Sequence, residues 1–114
     1  MRLQHNKLVR DRIPEIIEGE GKTCRTETMC EKEYQRALAA KLQEEASELQ
    51  DAGSAQEMIR ELADVFEVID AFIDAHGIDR NEIATVRTHR RESRGSFACR
   101  LKLLWVEQTT DADD

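Results

Sequence analysis

The stretch L-A-A-K-L-Q-E-E-A-S-E-L, Leu38 to Leu49, decides how this chain folds. On a wheel turned about 100° per residue, Leu38, Leu42 and Leu49 share one stripe. Tyr34 and Ala46 extend the helical spacing, and neither Gly nor Pro interrupts the chain from Glu31 to about Ala52. Glu45 lies inside the stripe, seven residues after Leu38, where an apolar side chain is wanted. Glu48 flanks it one turn on, and Glu44 points farther toward solvent. A carboxylate in a seam costs several kcal/mol unless positive charge or a proton reaches it. This helix therefore predicts a partner helix and a cation together.

The partner follows at once. Gly53 ends the first helix, and S-A-Q-E from Ser54 to Glu57 is a capping box opening a second, which runs to about His76 before Gly77 closes it. Met58, Leu62, Val65, Ile69 and Phe72 mark its expected buried side, with Glu61 at the edge beside Val68 and Asp64 one turn further round. Glu67, Asp70 and Asp74 gather on the opposite, exposed face. Another box, D-R-N-E from Asp79, starts a third helix to about Glu92. Links of a few residues at Gly53 and Gly77 make the three long helices antiparallel neighbours. Upstream, Pro14 suits the first turn of a short helix, with Ile13, Ile16 and Ile17 facing inward and Gly19 and Gly21 stopping it.

Two segments change period. Lys22 to Met29 is Thr-rich and alternating, an edge strand by pattern, and Phe97, Cys99, Leu101, Leu103 and Trp105 alternate with polar or basic residues as a terminal strand that pairs with it. Phe97, Cys99 and Trp105 are then core or interface residues. Glu107 to Asp114 carries four acidic residues and is expected to be a disordered acidic tail. The expected fold is all-α, an antiparallel bundle of three long helices with a short N-terminal helix and a small two-stranded β element. It occupies one domain over residues 1–106.

The totals set bounds on partners. A chain of 114 residues with 39% hydrophobic and 36% charged residues builds one modest core, and such domains grow by association, so a homodimer or homotetramer is expected. The net charge of −7 argues against polymeric nucleic acid and anionic membrane as partners. The charge is uneven: Arg87, Arg90, Arg91, Arg94, Arg100 and Lys102 against Glu92 make Thr85–Lys102 locally +5, leaving −12 elsewhere. Cys24, Cys30 and Cys99 form no C-x-x-C pair and read as reduced thiols, and the N-terminus lacks an apolar signal region, so a cytoplasmic location is expected.

Glu45-x-x-Glu48 and Glu61-x-x-Asp64 place hard oxygen donors one turn apart on two facing helices. Such donors suit Mg²⁺, or Mn²⁺ in its place; zinc would favour His or Cys. Solvated helix faces also produce these spacings in a chain with 24 acidic residues, but the seam position of Glu45 favours metal. Two ions so held would grip phosphate oxygens and activate a water.

Glu45-x-x-Glu48, twelve intervening residues and Glu61-x-x-Asp64 resemble the signature of the all-α nucleotide pyrophosphohydrolases, the MazG and phosphoribosyl-ATP pyrophosphohydrolase superfamily. K-L-Q-E-E-A-S-E at Lys41–Glu48 and E-L-A-D-V-F-E-V-I-D at Glu61–Asp70 are similar to its two central helices. N-K-L-V-R-D-R-I-P at Asn6–Pro14 and R-G-S-F at Arg94–Phe97 look like the ends of the MazG-like, phosphoribosyl-ATP pyrophosphohydrolase-like subgroup. The resemblance implies hydrolysis of a nucleoside triphosphate to monophosphate and pyrophosphate, Mg²⁺ on the four acids, and an oligomer sharing a helical core. Arg90 stands where Lys is usual, Ser96 where a second Gly is usual, and Val65-Phe66-Glu67 where histidine-pathway enzymes carry a Tyr-His pair.

The roles follow from this set. Glu45, Glu48, Glu61 and Asp64 ligate the metal, and Glu44 and Glu45 serve the attacking water. Asn6, Lys7, Arg10, Lys41, Arg90, Arg91 and Arg94 are the candidates for substrate, Arg being suited to bidentate phosphate contact and Asn6 to base or sugar. The bland alternative is that the basic residues pair with the abundant acids. The leading expectation is a Mg²⁺-dependent nucleoside triphosphate pyrophosphohydrolase clearing non-standard nucleotides. Its rivals are a non-catalytic nucleotide-binding helical dimer and, more weakly, the phosphoribosyl-ATP pyrophosphohydrolase of histidine biosynthesis.

Overall fold

In a computed structural model, residues 1–108 are described, and they form helices only: α1 (Ile13–Gly19), α2 (Glu31–Gln50), α3 (Ala55–His76) and α4 (Arg80–Arg94). Two compact units divide the chain, Met1–Arg80 and a second beginning at Asn81. The first carries α1, α2 and α3; the second carries nearly all of α4.

Local chemistry sets each helix end. Pro14 lies in the first turn of α1, and past its end Gly21, at φ 80, lets the Lys22 amide reach back to the Ile17 carbonyl at 3.3 Å. Between α2 and α3 the capping box forms as a reciprocal pair. The Glu57 amide donates to Ser54 Oγ at 3.1 Å, while Glu57 Oε2 accepts from the Gly53 amide at 3.1 Å. At the far end of α3, Gly77 takes the left-handed conformation, φ 62, and the Ile78 amide donates to the Ile73 carbonyl at 3.1 Å, a Schellman closure.

The short link turns α2 and α3 into an antiparallel hairpin, and Gln35 Nε2 near the start of α2 donates to the Ala75 carbonyl near the end of α3 at 3.1 Å. Its seam holds the buried apolar residues Leu38, 2% exposed, and Val68, with Val65, Ile69 and Phe72 half-buried around them. Glu45, 5% exposed, lies between Leu38 and Val68 in depth. The inward line of α3 differs from the expected one: Met58 and Leu62 are exposed, and the stripe runs through Glu61, Val65, Val68 and Phe72. Glu61 thereby sits one heptad before Val68, as Glu45 sits one heptad after Leu38. Each helix brings a carboxylate to the seam where its apolar stripe continues.

The two-stranded element is corrected: no strand occurs among the described residues. Lys22–Met29 is irregular, and the alternation after Gly95 is broken where the Arg100 amide closes a turn on the Phe97 carbonyl at 3.1 Å, with Arg100 at φ 56. A left-handed residue cannot continue a pleat, so side-chain alternation there does not become a ladder. Phe97, Trp105 and Cys99, expected in a core or interface, are exposed in this chain. The tail at Glu107–Asp114 falls mostly outside the described residues.

Candidate metal centre

The hairpin brings three of the four predicted acids, from two helices, together. Oxygens of Glu45, Glu61 and Asp64 lie within 4.8 Å of one another. Glu48, exposed on α2, is near enough for its charge to push up both the Glu45 and the Glu61 carboxyls. Carboxylates donate no hydrogen bond when ionised, so neighbours this close share a proton or a cation.

Electrostatics record the crowding. Burial, reinforced by Glu48 and Asp64 and opposed by Lys41, pushes the Glu45 carboxyl up from the usual 4.5 to about 7. Glu61 is raised as well, by loss of solvation first and then by Glu48 and Asp64. One oxygen on each, Glu45 Oε2 and Glu61 Oε2, is buried without a hydrogen-bond partner among the described residues. Orphaned buried carboxylate oxygens are rare because the desolvation cost is large. A hard divalent ion is the ligand that would complete them, and this all-oxygen donor set fits Mg²⁺ or Mn²⁺.

The basic residues sit at the rim. Lys41 Nζ lies 3.7 Å from Glu45 Oε1 and 3.4 Å from Glu44 Oε2. Lys7 Nζ reaches Glu44 Oε1 at 3.4 Å, and Arg10 Nη2 donates to Asp64 Oδ1 at 2.6 Å. Burial works against ionised Glu44, but Lys41 and Lys7 outweigh it and hold the carboxyl below its usual range, so Glu44 is ionised at neutral pH. Lys7, Arg10 and Lys41 are therefore brought to the acids themselves. The Lys7–Glu44 and Arg10–Asp64 pairs span 37 and 54 residues, so the sequence allows pairing of these cations with acids but its local spacing does not show with which ones. Asn6, just before Lys7, is exposed with φ 47. Arg90, Arg91 and Arg94 lie exposed on α4 in the second unit.

With the geometry in place, comparison with known proteins gives it a context. A family model described as phosphoribosyl-ATP pyrophosphohydrolase matches residues 11–91, the span that contains all four acids. An uncharacterized protein of Mycolicibacterium smegmatis (strain ATCC 700084 / mc(2)155) is 52% identical over 46 residues, covering 40% of this chain and 47% of its own length. The chain thus spans about half the length of that curated relative. No solved structure matches.

Proposed function

The chain belongs to the phosphoribosyl-ATP pyrophosphohydrolase family, within the all-α MazG-like superfamily of hydrolases acting on acid anhydrides, and from that premise we propose that it cleaves a nucleoside triphosphate between its α and β phosphates. Water attacks, and nucleoside monophosphate and pyrophosphate leave. The observation that carries the reading is the pair of orphaned inner oxygens, Glu45 Oε2 and Glu61 Oε2, in a carboxylate cluster fed by both helices. The family is divalent-metal-dependent; in our reading Mg²⁺ is the ion, and Glu45, Glu48, Glu61 and Asp64 hold it. When bound, such an ion neutralises phosphate charge and makes water more acidic.

The chain's own residues do the rest. Lys41 balances Glu44 and Glu45 from one turn away. Glu44, kept ionised by two lysines, is able to accept a proton from the attacking water. Lys7, Arg10, Arg90, Arg91 and Arg94 supply charge-assisted contacts to the phosphates, and Asn6 contacts base or sugar. One domain over residues 1–106 carries the activity. The protein works in the cytoplasm as a homodimer or homotetramer, for Met58, Ile59, Leu62 and Phe66 on α3 expose an apolar face suited to a shared core. No described helix is long and apolar enough to cross a membrane.

A second reading has its own support: the matching family model bears the name of the histidine-pathway reaction, so phosphoribosyl-ATP stands beside nucleoside triphosphates as substrate. Both readings are decided by incubating the purified chain with Mg²⁺, a panel of triphosphates and phosphoribosyl-ATP, and identifying the products. Pyrophosphate release from triphosphates supports the first reading, and from phosphoribosyl-ATP alone the second. Orthophosphate alone, or no product, sinks both. Nucleotide-dependent thermal shifts that persist without turnover, and are unchanged in the double variant Glu48→Gln, Asp64→Asn, would instead favour a non-catalytic binding module.

A further inference from the structure

We propose that the N-terminal strap, Met1 to Arg10, competes through Arg10 with the divalent ion for the acids of the centre and is exchanged for that ion when it binds. The proposal rests on the metal reading above and adds a coupled movement to it. Two observations carry it. The strap supplies both long-range cations: Arg10 Nη2 lies 2.6 Å from Asp64 Oδ1, and Lys7 Nζ lies 3.4 Å from Glu44 Oε1. Between them only Leu8 is half-buried, and Met1 to Lys7 are exposed throughout. These two ion pairs tie the strap to the hairpin, and exposed ion pairs are weak.

The strap is also an incomplete counter-ion. It neutralises acids at the outer edge, Glu44 and Asp64, while Glu45 Oε2 and Glu61 Oε2 at the centre stay without a partner. A dication among the carboxylates would satisfy the inner oxygens and draw on Asp64, so that the ion and the Arg10 guanidinium compete for one carboxylate and the attraction that holds the strap weakens. Coupling of this kind is reciprocal, so whatever loosens the strap tightens the ion. Released Lys7 and Arg10 are then free for the phosphates of an incoming nucleotide.

Two measurements on the full chain test the exchange. The first is Mn²⁺ affinity, read by electron paramagnetic resonance, in wild type and Arg10→Ala. If Arg10 competes with the ion, the variant binds roughly threefold to tenfold tighter. If Arg10 instead positions Asp64 for ligation, the variant binds equally or more weakly, and the exchange is overturned while the metal reading stands. The second is trypsin cleavage of the Lys7–Leu8 bond, which should be faster in saturating Mn²⁺ than in chelator; equal or slower cleavage also overturns the exchange. Absence of Mn²⁺ binding to wild type removes the metal reading, and the exchange with it. Arg10 is exposed, so the variant's fold is not at issue, and Arg10→Gln repeats the test with a polar side chain retained.

Discussion

Helix α3 carries two groups of acids that sequence composition does not distinguish and the fold treats in opposite ways. Asp70 and Asp74 face outward and are met by one guanidinium, Arg80, at 2.8 and 3.3 Å, which they hold in its charged form. Glu61 and Asp64, two to three turns earlier, face α2 and meet Glu45 and Glu48, so that carboxylates crowd carboxylates. In the outer group each negative charge has a positive neighbour and water beside it. In the inner group Arg10 meets Asp64 and Lys41 meets Glu45, yet one oxygen each of Glu45 and Glu61 stays buried without a partner. Density of acid is therefore uninformative; what marks a centre is carboxylate oxygen that the fold buries unpartnered.

The sharpest way to break this contrast is to neutralise one acid from each group. Asp64→Asn should lower pyrophosphate release by at least about a hundredfold, since losing a metal ligand forfeits several kcal/mol in the transition state. Asp70→Asn should leave turnover within about twofold, the exposed pair being worth little. Equal losses from both would mean the two groups are not different in kind.

The next effect is in stability against pH. Glu45 keeps its proton in the folded state up to about 7 and in the unfolded chain only up to the usual 4.5. The folded state thus binds more protons between those values, so metal-free stability falls as pH rises through that window and levels off above it, by a few kcal/mol at most. Thermal melts in chelator should show the fall, and Glu45→Gln should flatten it. In Mn²⁺ the sign reverses, because the ion requires the deprotonated carboxylates. The smallest effect belongs to the outer group: Arg80→Ala should cost under about 1 kcal/mol in a denaturant melt and leave Mn²⁺ affinity unchanged.

How much of this was legible in the residues depends on how far apart the interacting groups lie. Ser54, Glu57 and Gly77 announced the ends of α3 because capping acts within a turn, and the helix boundaries agree to within a few residues. Glu45 was legible for a related reason, its conflict with Leu38 and Leu49 being visible on one wheel. On α3, Val65, Ile69 and Phe72 turn inward as their spacing predicts, while Met58 and Leu62 do not, since they are as apolar as Val65 and Val68 and only packing against α2 ranks them. Arg10 and Asp64 are 54 residues apart, and no spacing rule joins them. The strand after Gly95 was read from alternating side chains, but Arg100 takes a backbone conformation that side-chain pattern does not encode.

The tight link at Gly53 and Ser54 has a kinetic consequence. All four carboxylates ride on one pair of neighbouring rods, so assembling them requires closing a short loop, an event of roughly 10–100 ns for about ten residues, with no distant strand to recruit. The carboxylate cluster therefore depends on contacts local in the chain. Lys7 and Arg10 are synthesised before Glu45 and Asp64, so positive charge is already in the chain when the acids first meet.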